Sequence, residues 1–290
     1  MRRNLRFLGG WAGALCLGAS VVAQPAIAQS LVHSALPTAD AAKLHLYTAL
    51  AAPAKTAKTD KTAKAPTVLA LHGCAGMLSA PGRPTPRVQA YAQLLAAQGW
   101  NVVFTDSFTG RGVKSVCGAK ASGAGTVSQA QRLQDTQLAI AHLAQQPSVD
   151  PARIAVLGWS HGGTATLQAS ARGVDYAVKP VAAVAFYPGC GPASVPKGWA
   201  PAWPILLQLG ALDDWTDPVP CQKLAAQWSS TLTQTTYANA YHGFDSDAKF
   251  TQLPAIISRS TGLGVHLGGE PAAKAASQAA LLAFLSKAFE

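Results

Sequence analysis

Short apolar runs alternate along the chain with longer stretches in which apolar residues recur at helical spacing. The runs have the length of buried strands and cover residues 67–71, 101–105, 154–157, 181–187 and 204–209. The helical spacing predicts five helices, over residues 87–98, 128–145, 162–172, 218–229 and 272–289. Two more strands are predicted, an early antiparallel one over 44–51 and another over 233–241. Strand and helix in alternation predict an α/β fold whose mostly parallel sheet carries helices on both faces.

The N-terminus has the three-part pattern of an export signal. Arg2, Arg3 and Arg6 form a positive region, residues 7–22 are apolar, and the Ala-Ile-Ala of residues 26–28 is a cleavage site of small residues. We therefore expect a signal peptide at 1–28 and a single mature domain at 29–290, a length that suits one domain.

A membrane anchor is the alternative interpretation of this N-terminal pattern. The apolar run is short, interrupted by glycine, and followed by the cleavage site, all of which disfavour an anchor. The pattern predicts a secreted or periplasmic bacterial protein with no stable membrane insertion after cleavage. The adjacent arginines at positions 2 and 3 leave general and twin-arginine export both open.

The segment Gly-Trp-Ser-His-Gly at 158–162 joins a predicted buried strand to a predicted helix. This is the context of a nucleophile elbow, a turn so tight that the residues two before and two after the serine must lack bulk. The serine hydroxyl then stands above the sheet, near the positive end of the helix. Ser160 is the predicted catalytic nucleophile.

Two further residues complete a catalytic triad in the order that this elbow requires, serine, then acid, then histidine. Asp213 lies just beyond the strand at 204–209, and His242 lies in the segment Tyr-His-Gly-Phe-Asp at 241–245. A serine hydroxyl is a weak nucleophile at neutral pH, so a histidine must remove its proton and a carboxylate must orient that histidine. We expect His242 and Asp213 to have these roles.

Alternatives exist for both partners of Ser160. Asp214 is the next residue after Asp213, and we favour Asp213 because it lies three rather than four residues after Gly210. His266 is the other histidine in the right order, within a glycine-rich segment near the C-terminus. Either aspartate would also suit an ordinary turn.

Acyl transfer also needs donors for the developing oxyanion, normally two backbone N–H groups. The residue after the nucleophile, His161, supplies the first candidate. The segment His-Gly-Cys-Ala-Gly at 72–76 follows the strand at 67–71, and the N–H of Cys74 is the second candidate. A plain glycine-rich turn is the alternative interpretation of that segment.

Together, the segments at 72–76, 158–163, 210–215 and 241–244 resemble the dienelactone hydrolase family of α/β-hydrolases, over about residues 66–250. The resemblance implies the α/β-hydrolase fold, a site that cleaves esters, and no cofactor. Dienelactone hydrolases proper use a cysteine nucleophile, whereas this chain has Ser160. The resemblance therefore carries over the fold and the ester-cleaving site but not the dienelactone substrate.

Four of the five cysteines remain after signal cleavage: Cys74, Cys117, Cys190 and Cys221. An even number in an oxidising compartment favours two disulfides, with three pairings possible. In the sheet that the resemblance implies, the strands before Cys74 and Cys117 are neighbours, and so are the strands before Cys190 and Cys221. We therefore expect bonds 74–117 and 190–221. No metal is expected, because His and Cys show no ligand spacing.

The chain is basic, with 23 Lys and Arg against 13 Asp and Glu and a net charge of +10. This balance would fit a nucleic-acid-binding protein. Export argues against that partner, and Lys55, Lys58, Lys61 and Lys64 belong to one low-complexity segment at 54–65 that reads as a solvated loop or flexible hairpin. We expect no nucleic-acid partner.

These features predict an exported serine hydrolase that cleaves a small-molecule carboxylic ester, lactone or thioester through an acyl-enzyme. A peptidase or an acyltransferase with the same triad is one alternative, since a fold does not determine a substrate. A binding protein that kept the fold without activity is another. The sequence makes no prediction of oligomeric state.

Overall fold

The computed structural model describes residues 31–51, 64–80, 82–118, 125–258 and 260–290. The predicted signal peptide at 1–28 and most of the lysine-containing segment at 54–65 lie outside the described residues.

One central sheet organises the described chain. In chain order the strands are β1 Val32–Pro37, β2 Lys43–Ala49, β3 Ala65–Leu71, β4 Leu78–Ser79, β5 Arg83–Pro84, β6 Asn101–Asp106, β7 Val149–Trp159, β8 Ala182–Phe186, β9 Ile205–Gly210, β10 Leu232–Tyr237, β11 Thr251–Ile257 and β12 Gly264–Leu267. Eight of them form the sheet in the order β1-β2-β6-β3-β7-β8-β9-β10. Strands β1 and β2 run antiparallel to their neighbours, and every pair from β6 to β10 is parallel. The predicted mostly parallel sheet is confirmed.

In the described part of the chain, five α-helices lie where helices were predicted; four connect strands and the fifth follows the last strand. They are α1 Pro86–Ala96, α2 Gln129–Leu143, α3 His161–Ala169, α4 Pro218–Gln227 and α5 Pro271–Ala288. Helix α3 ends three residues before the predicted end at 172, because the chain there turns to pair with another segment: Ala171 bridges Pro201. Within the described residues, no helix has both the length and the apolarity to cross a membrane.

Side chains alternate between the two faces of the sheet and so form two cores. Leu69, Val156 and Leu207 point to the core beneath α2, α3 and α4. Their sequence neighbours Val68, Ala155 and Leu206 belong to the second core, which α1 and α5 cover. This alternation follows from the period of two along a strand. The predicted helices on both faces are confirmed.

Three strand features had no counterpart in the prediction, the first being the pair of two-residue strands β4 and β5. Strand β1 is almost entirely exposed, so no apolar run marks it. The hairpin β11–β12 lies apart from the central sheet, and its first strand contains Pro254, which interrupts the pairing between Leu253 and Ile257. Strands β1 and β11 are mostly exposed, so burial imposes no regular apolar pattern on their sequences.

Disulfides join Cys74 to Cys117 and Cys190 to Cys221, with Cα–Cα distances of 4.9 and 5.0 Å. The first follows the neighbouring strands β3 and β6, and the second follows the neighbouring strands β8 and β9. This is the expected pairing. Both bonds lie beyond the carboxyl ends of the strands, the edge where open α/β sheets carry their sites.

Candidate active site

Ser160 lies in the tight turn between β7 and α3. Its backbone has φ 54° and ψ −118°, a conformation that residues other than glycine rarely adopt. Two hydrogen bonds of 2.9 Å hold it there: its N–H donates to the carbonyl of Phe186, and its own carbonyl accepts from the N–H of Thr164. Such local strain persists only where the surrounding structure fixes it. The turn has the geometry of a nucleophile elbow.

The two glycines that flank Ser160 are required by close packing. A Cβ atom on Gly158 would lie 2.2 Å from the carbonyl oxygen of Gly162, and one on Gly162 would lie 2.0 Å from the carbonyl oxygen of Leu71. Real side chains do not tolerate such distances. The Gly-x-Ser-x-Gly pattern thus reflects the approach of α3 to β7 and β3.

The three predicted triad residues lie together in the structure. The Nε2 atom of His242 is 2.9 Å from the Oγ atom of Ser160, and its Nδ1 atom is 2.9 Å from Oδ2 of Asp213. His242 and Asp213 are buried, with 5% and 4% of their surface exposed, and Ser160 is partly exposed. A carboxylate accepts only, so Nδ1 carries the proton and Nε2 can accept the serine proton. The three residues form one continuous hydrogen-bonded relay.

Asp213 receives further hydrogen bonds from the turn that follows it. Its Oδ1 atom accepts from the backbone N–H groups of Trp215 (2.9 Å) and Thr216 (2.8 Å). Its Oδ2 atom is 2.8 Å from the hydroxyl of Thr216. A buried carboxylate needs such partners. These contacts fix the orientation of Asp213 toward His242.

The alternative pair, Asp214 and His266, lies beside this relay. Oδ2 of Asp214 is 2.7 Å from Nδ1 of His266, and Oδ1 of Asp214 accepts from the backbone N–H of His266 at 2.8 Å. Asp214 and His266 therefore bind each other rather than Ser160 and His242.

The sequence did not reveal the aromatic side chains that enclose His242. The rings of Tyr187 and Trp215 have centroids 4.5 and 4.7 Å from the imidazole. Tyr187 has a positive φ of 37° at the end of β8. Its hydroxyl donates to Oδ1 of buried Asp245 at 2.6 Å, while Tyr91 donates to Oδ2 at 2.9 Å. The Asp245 of the Tyr-His-Gly-Phe-Asp segment was the one signal of this cluster in the sequence.

Arg87 and two tyrosine hydroxyls surround the carboxylate of Asp245, which anchors Tyr187 beside His242. Nη2 of Arg87 lies 3.3 Å from Asp245. Burial raises the pKa of the Tyr91 and Tyr187 phenols well above 10, so both remain hydrogen-bond donors. The hydroxyl of Tyr187 is thereby anchored while its ring packs against that of His242.

Hydrogen bonds fix the backbone of the segment at 72–76 and leave the N–H of Cys74 without an acceptor among the described residues. The carbonyl of Gly73 accepts from the N–H of Gly76 at 3.2 Å and lies 2.7 Å from Nδ1 of His72. The N–H of Cys74 belongs to the same trans peptide group, so it points the opposite way. The carbonyl of Cys74 in turn accepts from the N–H of Val116 at 2.8 Å. These bonds, with the Cys74–Cys117 disulfide, fix the loop.

The N–H of His161 is the first of α3 and points out of the helix end. Neither it nor the N–H of Cys74 has an acceptor among the described residues. Ser160, Cys74 and His161 line one cleft of about 340 Å³, together with several hydroxyl-bearing side chains, Thr126, Ser128, Thr164, Ser194 and Thr216. Ser160 and the two residues that carry these N–H groups thus line the same cleft, as the predicted oxyanion hole requires.

The described residues contain no group of three or more His, Cys, Asp or Glu side chains that could hold a metal ion. Within the same residues, the polar side-chain atom that is hydrogen-bonded to Oγ of Ser160 is Nε2 of His242.

The family profile of the dienelactone hydrolase family matches residues 53–288. Solved structures with a similar fold include a protein of Klebsiella pneumoniae subsp. pneumoniae assigned as a dienelactone hydrolase, with TM-score 0.62, 16% identity and coverage of 88% of this chain and 98% of that chain. Another is a dienelactone hydrolase-like promiscuous phosphotriesterase from metagenomic libraries. Its TM-score is 0.61 and its identity 17%, and the match covers 90% of this chain and 100% of that chain.

Esterase 2 of Thermogutta terrifontis is also similar, with TM-score 0.60, 17% identity and coverage of 92% of this chain and 97% of that chain. No curated protein sequence matches the chain. These structures share the fold with the chain, while the family profile spans most of its length. The chain therefore belongs to the dienelactone hydrolase family and is a hydrolase of the α/β-hydrolase type.

Proposed function

We propose that this chain is a serine hydrolase that cleaves a small-molecule carboxylic ester, lactone or thioester through an acyl-enzyme. Ser160 is the nucleophile, His242 the general base and acid, and Asp213 the residue that orients His242. The observation that carries the proposal is the relay of two 2.9 Å contacts from Ser160 through His242 to Asp213.

The reaction follows from these atoms in two halves. Oγ of Ser160 attacks the carbonyl carbon while its proton moves to Nε2 of His242, and the carboxylate of Asp213 stabilises the imidazolium. The N–H groups of Cys74 and His161 bind the oxygen that becomes negative. When the tetrahedral intermediate collapses, the bond to the alcohol or thiol breaks and His242 protonates the leaving atom.

The second half returns the enzyme to its starting state. A water molecule gives its proton to His242 and attacks the acyl carbon, and the same N–H groups bind the second oxyanion. The bond to Oγ then breaks, His242 returns the proton to Ser160, and the carboxylic acid leaves. No cofactor enters these steps.

We also propose that the protein is exported to an oxidising compartment, with cleavage after residue 28. The signal pattern supports this, and so do the Cys74–Cys117 and Cys190–Cys221 bonds, since structural disulfides persist in such compartments. N-terminal sequencing of the protein from periplasmic or extracellular fractions should begin at Gln29. A chain that starts at Met1 and stays in the cytosol would contradict export.

Labelling with a fluorophosphonate probe tests the nucleophile directly. The wild-type protein should react at Ser160, and Ser160→Ala should lose both the label and ester turnover, by on the order of 10⁴-fold or more. Ser194→Ala removes another serine of the same cleft and should keep the label.

Turnover by Ser160→Ala within about tenfold of wild type would refute the proposal. Equal circular dichroism spectra establish that the variants are folded.

A substrate panel separates the activities that one triad can support. It combines p-nitrophenyl esters of different chain length with a lactone, a thioester and a peptide substrate. We expect turnover of the esters and none of the peptide. Preferential cleavage of the peptide would assign the same relay to a peptidase.

A further inference from the structure

Arg132 of helix α2 is a buried cation behind the catalytic cleft. It is 1% exposed, and its Nη1 atom donates to the carbonyl of His72 at 2.7 Å and contacts Nδ1 of His161 at 3.0 Å. No carboxylate among the described residues forms an ion pair with it, because the nearby Asp135 binds Arg111 instead, at 2.8 and 2.9 Å. Arg132 therefore directs its hydrogen bonds at the two segments that carry the proposed oxyanion donors.

The contact with Arg132 determines the protonation of the His161 ring. A guanidinium group can only donate hydrogen bonds, so Nδ1 of His161 must accept and cannot carry a proton. Burial, followed by the charge of Arg132, lowers the pKa of His161 from its usual 6.5 to about 3. The ring is therefore neutral at ordinary pH, and its one proton is on Nε2.

Helix α2 holds His161 by its backbone as well as by its ring. The side-chain amide of Gln129 donates to the carbonyl of His161 at 3.1 Å. Gln129 and Arg132 are three residues apart and so lie on the same face of α2. With both ends of the residue held, the ring has a fixed orientation.

The remaining ring nitrogen, Nε2, belongs to a side chain of the cleft lining. His161 lines the cleft beside Ser160 and is partly exposed. Its Nε2 atom is not among the buried polar atoms, and no acceptor for it exists among the described residues. The residue that follows the proposed nucleophile thus carries a fixed ring N–H donor in addition to its backbone N–H.

We propose that the imidazole of His161 is a neutral hydrogen-bond donor for the substrate and that it selects esters with an additional oxygen acceptor near the scissile carbonyl. This inference rests on the proposed ester hydrolysis at Ser160 and deepens it by naming a substrate class, the oxygen-substituted esters. Ether, hydroxyl or second carbonyl oxygens would each suffice. Arg132 is a positioning residue in this arrangement, since it acts through His161.

Matched ester pairs test the selection. On the acyl side, p-nitrophenyl methoxyacetate is compared with p-nitrophenyl butyrate, and on the alcohol side, 2-methoxyethyl acetate is compared with butyl acetate. Each pair differs by one oxygen for one methylene. The ratio of kcat/KM within a pair, compared between enzyme variants, cancels the intrinsic reactivity of the esters.

Two substitutions separate the donor from the shape of the ring. His161→Phe keeps a planar ring without a donor, and His161→Gln places an amide N–H close to the position of Nε2. In at least one pair, the preference for the oxygen-substituted ester should fall about three- to tenfold in His161→Phe and return in His161→Gln. Unchanged ratios in both pairs, or equal losses for all four esters, would overturn the proposal.

Nitrogen-15 NMR of the imidazole rings gives a test that needs no turnover. Long-range proton–nitrogen correlations of the wild-type protein at pH 7 should show His161 as the neutral Nε2–H form, assigned by its absence in His161→Gln. An Nδ1–H form or an imidazolium would overturn the inference, even if His161→Phe did not fold. Because this result is independent of Ser160, it is distinguishable from a failure of the proposed function.

Discussion

Asp214 binds His266 at 2.7 Å, one residue after the aspartate that binds His242. Two consecutive carboxylates thus hold two different histidines. The first belongs to the relay that ends at Ser160. The second ties the turn after β9 to strand β12, because Asp214 also accepts from the backbone N–H of His266.

Because the two aspartates bind different histidines, their replacement should lower kcat by very different amounts. Asp213→Asn presents an amide to Nδ1 of His242 and favours the wrong tautomer, so kcat should fall by roughly 10³–10⁴-fold. Asp214→Asn leaves the relay intact and should cost about tenfold at most. Steady-state hydrolysis of a p-nitrophenyl ester measures both. The reverse order of losses would transfer the orienting role to Asp214.

The elbow glycines predict a loss of stability that does not depend on catalysis. Gly158→Ala introduces a Cβ atom 2.2 Å from a backbone oxygen and should lower the free energy of unfolding by at least about 2 kcal/mol. Gly191 has open space around its Cβ position, so Gly191→Ala is a matched control with a change within about 0.5 kcal/mol. Urea denaturation followed by circular dichroism compares the two. Equal effects would mean that the turn relaxes around the new methyl group.

The disulfides predict a protein without reactive thiols after signal cleavage. Thiol titration in denaturant should find none, and reduction should require strong reductant. Each bond closes a long loop, of 43 and 31 residues in sequence separation, so its removal should destabilise the fold by about 3–4 kcal/mol in the entropic description. Two or more thiols in this titration would rule out the two bonds, and peptide mapping that links Cys74 to Cys190 would overturn the pairing.

Only one of the two bonds should affect catalysis strongly. Replacing Cys74 and Cys117 by serine frees the loop that carries the Cys74 N–H, so kcat should fall by about tenfold or more at a temperature where the variant is folded. The matched double replacement of Cys190 and Cys221 should lower stability with a smaller effect on kcat. Equal losses of kcat in the two double variants would show that the Cys74–Cys117 bond has no specific role in positioning the N–H of Cys74.

Two histidines predict how stability depends on pH. Burial, with the charge of Arg132, lowers the pKa of both His72 and His161 from 6.5 to about 3. Below pH 6.5 the unfolded chain binds protons that the folded chain excludes, so stability decreases as the pH falls from about 6.5 toward 3 and is unaffected by these groups above that range. The slope is about 1.4 kcal/mol per pH unit for each group.

Urea denaturation at pH 7, 6, 5 and 4 measures this slope. His161→Gln removes one of the two groups and should show a shallower decrease over the same range. The aspartates with a lowered pKa, such as Asp40 and Asp150, act in a different window, because their contribution is lost only at pH values below the usual carboxyl range near 3.8. If the slope is the same in His161→Gln as in the wild-type protein, the His161 ring of the wild-type protein has the same pKa in the folded and unfolded states.

The sequence was most informative at positions where tight packing allows only one or a few residue types. Gly158 and Gly162 are required by contacts shorter than a Cβ atom allows, so the elbow could be recognised without a structure. The order of Ser160, Asp213 and His242 follows from the order of the strands that precede them. The family resemblance drawn from the same motifs is confirmed by the family match.

What the sequence did not reveal depends on contacts between distant positions. Arg132 meets His161 and His72 across 29 and 60 residues, and no local pattern encodes those distances. A signal was present, since Arg132 occupies a position on the buried stripe of α2 where apolar residues such as Ile140 are expected. A basic residue on such a stripe is a reason to look for a buried polar contact.

The hairpin β11–β12 is joined through its base to His242, the proposed general base. Leu267 forms a parallel bridge with His242, and the N–H of Gly268 donates to the carbonyl of His242 at 3.0 Å. At the other end, Ile257 and Leu263 are 62% and 64% exposed. For loop grafting or the insertion of a peptide tag, the two ends are therefore not equivalent. Exposed tips accept added residues readily, whereas one residue inserted at 266–268 would shift the backbone on which His242 depends.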